Sequence, residues 1–291
     1  MTYAHPEYIV STDWLAAHLN DPNLRIFDST VLLQLGADGQ YVMESGLATY
    51  EAGHIPGAAF IDLAKDLSDT SQKLGFMLPS ADQFAEVMGN LGVGPDNRVV
   101  VYSTNMPAWA TRLWWMLRVF GFDNVAVLDG GWAKWQAEAR PVTKDIPDHA
   151  KASFKAGFRP ELVANKQDVL AAIGDGDACI INALPPAMHT GEMAPYGRKG
   201  RIADSINVPT GLLDNPETGT LKPVAELTQI FEKSGVLSRD RIITYCGGGI
   251  AATHDAFALA LIGRPDVAVY DGSMSEWAAD PDTPMEAGEP A

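Results

Sequence analysis

The chain has 291 residues, and its 21 basic against 37 acidic side chains leave a net charge of −16 (21 − 37). Such a field disfavours nucleic acid and anionic membrane as partners, and an anionic substrate needs a locally positive pocket. The length exceeds what one hydrophobic core usually fills, which predicts two domains. The start, from Met1 to Tyr8, lacks a basic region followed by an apolar one, and no apolar run is long enough to span a bilayer. A cytoplasmic protein is therefore expected. Two cysteines, Cys179 and Cys246, make no disulfide framework, and their spacing matches neither a CxxC pair nor a zinc knuckle, so no metal is expected.

In chain order, Ser11 is placed to cap a helix ending near Leu19, and residues 24–28 predict a strand ending at an acidic turn. Residues 31–49 read as loop. Residues 50–62 form a glycine and proline turn feeding a short apolar strand. Ser80 and Gln83 suit a capping box for a helix to Leu91, and residues 98–103 are a β-branched strand. Residues 107–120 predict a helix whose Trp109, Trp114, Trp115 and Phe120 recur at helical spacing, the mark of core and domain-interface packing. Residues 125–129 predict a strand, followed by a Gly-Gly-Trp turn. In the second half Cys179 lies in an apolar strand and reads as a core residue. Residues 241–245 suit a buried strand and residues 251–261 a helix, which puts Cys246 in a strand-to-helix turn with Gly247, Gly248, Gly249 and Ile250. Glycines let backbone N–H groups converge there, and a cysteine at a helix N-terminus has its nucleophilic thiolate favoured.

The two halves are self-similar. Val101-Tyr-Ser103 lies over Thr244-Tyr-Cys246 at an offset of 143 (246 − 103), and the turn from Asp129 to Trp135 lies over that from Asp271 to Trp277 at 142 (277 − 135). His54 and the seven residues after it lie over Arg201 and its seven at 147 (201 − 54). Three ordered matches predict a duplicated domain with its seam around residues 140–149. Strands alternating with helices predict an α/β fold, a parallel sheet flanked by helices in each half, with ligands beyond the carboxyl ends of the strands. Ser103 takes the place of Cys246 in the first half, so the second half is expected to carry the chemistry.

With these stretches in view, the chain resembles the tandem-domain rhodanese-like sulfurtransferases over nearly its whole length. The likeness rests on Tyr50-Glu-Ala-Gly-His-Ile-Pro-Gly-Ala58, on Trp114-Trp-Met-Leu-Arg-Val-Phe-Gly121, on the Cys246 loop, and on the run from Arg264 to Trp277. It implies a non-catalytic rhodanese-like domain over residues 1–145, a linker over 146–159 and a catalytic domain over 160–291. It also implies a Cys246 thiolate that takes a sulfane sulfur from thiosulfate, 3-mercaptopyruvate or a persulfide or polysulfide, holds it as a persulfide, and passes it to a thiol or cyanide-like acceptor. Thioredoxin or glutathione are candidate acceptors, and no cofactor beyond the persulfide is implied.

The departures bear on the donor. Gly247 and Gly248 stand where thiosulfate-type members carry basic residues, and Gly248 stands where mercaptopyruvate-type members carry a hydroxyl. Leu184 and Met188 stand where the family places arginines that grip the anionic substrate, although Glu192 of the same pattern is kept. Charge is then expected from Arg198, Lys199 or Arg201, or from Arg112 across the interface. The active-site loop Gly247, Gly248, Gly249, Ile250 and Ala251 forms the anion cradle, with Asp271 and Ser273 as supporting hydrogen-bonding groups. His54 has two readings, a turn histidine bonding backbone, or an acid–base group facing the site with Glu44 or Glu51 orienting it. His254, about two turns into the helix after Cys246, reads as a surface residue. A cysteine phosphatase would need an arginine six residues after Cys246, where Ala252 stands. A non-catalytic sulfur-binding or regulatory module remains the competing class.

Overall fold

The computed structural model describes residues 2–35 and 41–289. Its strands are β1 (Ile9–Val10), β2 (Leu24–Asp28), β3 (Val31–Leu35), β4 (Tyr41–Ser45), β5 (Ala58–Phe60), β6 (Arg98–Tyr102) and β7 (Val125–Leu128), then β8 (Val163–Ala164), β9 (Ala178–Asn182), β10 (Arg201–Ile202), β11 (Ser205–Asn207), β12 (Arg241–Tyr245), β13 (Ala268–Tyr270) and β14 (Met285–Glu286). One five-stranded parallel sheet has the order β1-β7-β6-β2-β5. The other has the order β8-β13-β12-β9-β11, also parallel, so the halves are wound alike. The repeat extends to side chains. Tyr102 Oη accepts from Ile55 N at 3.4 Å and Tyr245 Oη from Ile202 N at 3.1 Å, while Trp135 donates to Pro141 O at 2.8 Å and Trp277 to Pro284 O at 3.0 Å.

The helices are α1 (Thr12–His18), α2 (Leu47–Ala52), α3 (Ala81–Asn90), α4 (Pro107–Val119), α5 (Gly131–Ala137), α6 (Lys166–Ala172), α7 (Pro186–Thr190), α8 (Val224–Lys233), α9 (Ala251–Leu261) and α10 (Ser273–Trp277). Ser11 caps α1 as expected, its hydroxyl accepting from Trp14 N at 3.1 Å. The box at α3 is only half formed. Ser80 accepts from Gln83 N, but the Gln83 amide turns to the carbonyls of Asp66 and Ser68 and pins the preceding loop instead. The loop expected over residues 31–49 is corrected to an antiparallel hairpin, β3 with β4, running into α2. Leu33, Val42 and Met43 are exposed, so the arm lacks the one-sided burial that makes a strand legible. Residues 36–40 of that stretch lie outside the described residues.

Helix α4 is buried from Ala108 to Val119, charged residues included, because it packs on its own sheet and against α9 of the other half. At this seam Trp114 meets Phe257 edge to face at 4.9 Å, a contact worth about 1 kcal/mol beyond its buried area. Arg118 stacks over the Tyr8 and Trp114 rings and donates to Pro265 O, which offsets its burial. The chain leaving the first half runs along it, with Ala152 N on Gly89 O, Gly157 N on Phe120 O and Arg159 N on Val119 O.

Candidate active site

Strand β12 ends at Tyr245 and α9 starts at Ala251, so Cys246 and its glycines occupy the turn the sequence predicts, at the carboxyl end of a central strand. Cys246 is 2% exposed. No side chain caps α9, which leaves the positive end of its dipole to the turn. Cys179 is buried in β9, and desolvation pushes its thiol up to about 11. Neither cysteine is in a disulfide.

Ser273 holds the turn in shape. Its hydroxyl accepts from Cys246 N and Gly249 N, each at 3.1 Å, and donates to Tyr270 O at 2.7 Å. Two of the turn's N–H groups are thus bound by Ser273 rather than left to face the sulfur. Met274 N and Ser275 N close on the carbonyls of Cys246 and Gly247 at 3.0 and 2.9 Å, and the Ser275 hydroxyl also donates to Gly247 O. Ser273 has φ +47, left-handed for a residue with a Cβ, at a cost of about 1–2 kcal/mol. The same place in the first half is Gly131, φ +52, at an offset of 142 (273 − 131). The second half accepts the strain because only a hydroxyl ties both ends of the turn.

Below the turn lies a buried ion pair. Arg112 Nη1 donates to Asp271 Oδ1 at 2.6 Å and to Gly249 O at 3.0 Å, its Nη2 donates to Phe76 O, and its guanidinium lies over the Trp115 ring. Asp271 also accepts from Leu78 N at 2.8 Å. The first half therefore supports the turn through α4 and residues 76–78. Gly249 has φ +73, and a Cβ on it would lie 2.8 Å from Asp271 O and 3.0 Å from Arg112 Nη1, so both conformation and space require glycine.

Other expected residues lie elsewhere. Arg198 donates to Asp280 O at 2.7 Å, to Thr283 Oγ1 at 2.8 Å and to Thr283 O at 3.0 Å. Arg201 donates to Gly288 O and pairs with Glu286 at 3.2 Å. Both bind the C-terminal segment. Lys199 and Glu192 are exposed. Leu184 and Met188 are buried in the core, so no cation stands at either place. His54 is buried, its ring stacked on Tyr50 at 3.8 Å and its nitrogens on Tyr50 O at 2.9 Å and Asp145 O at 3.2 Å, the geometry of the turn reading. Glu44 and Glu51 are exposed.

His254 is corrected from surface to interior. It is 3% exposed and its Nε2 lies 3.1 Å from both oxygens of Asp214. Together with Ser103, Asp129 and Phe257 it lines a cavity of about 330 Å³ at the first half's counterpart of the site. Sequence reasoning missed Tyr196. A Cβ on Gly247 would lie 1.8 Å from the Tyr196 hydroxyl, so the phenol occupies the space over the first glycine. A Cβ on Gly248 would meet only Ser275 Oγ, at 4.0 Å. The absence of side chains from Gly247 and Gly248 was the available signal, since a site stripped of local side chains draws its groups from elsewhere.

The rhodanese-like domain family matches residues 11–138 and again 165–280, and the chain belongs to that family. It is a sulfurtransferase of the tandem type. It is 38% identical over 283 residues to the 3-mercaptopyruvate sulfurtransferase of Escherichia coli K12, covering 96% of this chain and 98% of the relative. It is 35% identical over 292 residues to the thiosulfate sulfurtransferase of Rattus norvegicus, covering 96% and 95%. The crystal structure of SseA from Escherichia coli matches with a TM-score of 0.80 at 37% identity, over 91% of this chain and 98% of that one.

Proposed function

We propose that Cys246 is the nucleophile, and that it takes a sulfur atom from thiosulfate, 3-mercaptopyruvate or a persulfide or polysulfide and gives it to a thiol or cyanide-like acceptor. The observation that carries this reading is the closed turn, with Cys246 N and Gly249 N both on Ser273 Oγ and an uncapped α9 behind it. Thiolate and persulfide are both anions, and a preorganised backbone turn at a helix N-terminus stabilises either without adding a competing nucleophile. Thioredoxin and glutathione are the proposed acceptors, and the two free cysteines suit a reducing cytoplasm. We take the domains as 1–145 and 160–291 with 146–159 as the linker. The first is non-catalytic because Ser103 stands in the cysteine's place.

Intact mass after incubation with each donor tests this reading. A gain of one sulfur that is lost in Cys246→Ser supports it; no gain with any donor removes it. Burial of Leu184 and Met188 in place of an anion clamp favours a second reading, a sulfur-binding module without turnover. Steady-state transfer to an acceptor that depends on Cys246 excludes that reading.

A further inference from the structure

The turn has lost its own side chains at Gly247 and Gly248, and one hydroxyl from a distant segment fills the first of the two places. Tyr196 is half-buried and packs its ring against the core. Its segment is held at both ends. Gly191, φ +88, approaches Gly200 so closely that a Cβ there would lie 2.8 Å from Gly200 N. Arg198, two residues on, is fixed by its three bonds to Asp280 and Thr283. Over Gly248 a Cβ would meet only Ser275 Oγ, at 4.0 Å. Of the cations considered for the site, Arg112 is neutralised by Asp271, Arg198 and Arg201 are bound to the C-terminal segment, and Lys199 is exposed.

We propose that Tyr196 is a catalytic residue, and that its O–H, in place of the missing cradle side chains, hydrogen-bonds the leaving sulfur of an organic hydropersulfide donor. The inference rests on the reading of Cys246 as nucleophile. In the step, the Cys246 thiolate attacks the outer sulfur of R–S–SH and a new S–S bond forms. The old S–S bond breaks and its electron pair leaves on the inner sulfur as R–S⁻. The hydrogen stays on the transferred sulfur, giving Cys246–S–SH, while the phenol keeps its proton and donates a hydrogen bond to R–S⁻. A thiolate leaving group carries one negative charge, which a single neutral donor can stabilise. Sulfite leaving from thiosulfate is a dianion and calls for cations, of which this site, the exposed Lys199 apart, commits its arginines elsewhere.

The test is the rate of Cys246 persulfide formation from hydropersulfides of small uncharged thiols of graded acidity, 2-mercaptoethanol hydropersulfide first, in the full-length protein. Tyr196→Phe keeps the ring and should lower the rate roughly 10- to 100-fold. It should also steepen the dependence of rate on leaving-thiol pKa, which a merely structural role leaves unchanged. Gly247→Ala, which displaces an intact phenol, should reproduce both effects. A Tyr196→Phe rate within twofold of wild type, with unchanged slope, overturns the assignment even though Cys246→Ser still abolishes loading. A wild type that takes up no sulfur removes the Cys246 reading and this inference together.

Discussion

The hydroxyl oxygens of Thr111 and Thr253 lie 2.9 Å apart, and the two residues hold the same place in their repeats, at an offset of 142 (253 − 111). One is on α4 and the other on α9, so the axis relating the halves passes through this crossing. Bonds on either side exchange accordingly: Leu78 N donates to Asp271 and Leu221 N donates to Asp129, each at 2.8 Å. The seam has the self-complementary form of a two-fold dimer interface, built within one chain. The symmetry breaks one residue on, where Arg112 reaches the turn of the second half and its counterpart His254 (254 − 112 = 142) pairs with Asp214.

That break makes Arg112 the tie between the halves and the cysteine turn. Arg112→Met leaves the Asp271 carboxylate buried without its cation and should cost about 3–5 kcal/mol in chemical denaturation. Adding Asp271→Asn should recover most of the loss, because the uncompensated charge is what destabilises. A single variant within 0.5 kcal/mol of wild type, roughly the limit of surface substitutions, contradicts this account.

Ser273→Gly separates backbone strain from the hydroxyl. Glycine adopts φ +47 freely, as Gly131 does at φ +52, so the melting temperature should change little. Persulfide formation should fall roughly tenfold or more, since Cys246 N and Gly249 N lose their common acceptor. Single-turnover sulfur loading by mass spectrometry, alongside a thermal melt, tests both halves of the expectation.

The cysteines should differ in alkylation. Burial pushes the Cys179 thiol up to about 11, so at pH 7 to about pH 9 it stays protonated and unreactive in the folded protein. Iodoacetamide should leave Cys179 unmodified in the native protein and add a group there only in denaturant. Peptide mapping that finds Cys179 modified first in the native protein would contradict the burial of β9.

Asp255 is a built-in source of pH dependence. It is fully buried on α9, neither carboxyl oxygen has a partner among the described residues, and burial with the nearby Asp214 charge pushes its pKa well above the ordinary value. The folded state keeps a proton that the unfolded chain loses above its own pKa, near 4, so the unfolded state binds fewer protons and stability falls as pH rises. The slope from this group is about 1.4 kcal/mol per pH unit up to the folded-state pKa, and the contribution is fully present only below the unfolded one. Asp255→Asn removes that slope. Urea titrations at pH 5 and pH 7 should find the variant gaining on wild type as pH rises; parallel curves would mean that Asp255 is solvated.

The sequence by itself determined the elements around the site. An apolar strand, Cys246, three glycines and a helix are contiguous, and β12 and α9 run over the residues that the pattern predicts, because period and turn chemistry act within a few residues. It also determined the duplication, since repeated Tyr, Asp and Trp positions need no structure to be compared. The tertiary structure alone decided what surrounds the sulfur. Arg112 lies 137 residues from the Gly249 carbonyl it binds and Ser273 lies 27 from Cys246 N, while Tyr196 belongs to no motif. Arg198 and Arg201 look like a clamp in the sequence, and the structure shows each bonded to the C-terminal segment. Hydrophobic period says which face of an element is buried; which side chain meets which depends on tertiary packing, and that packing brings an arginine, a serine and a tyrosine to the one turn that holds Cys246.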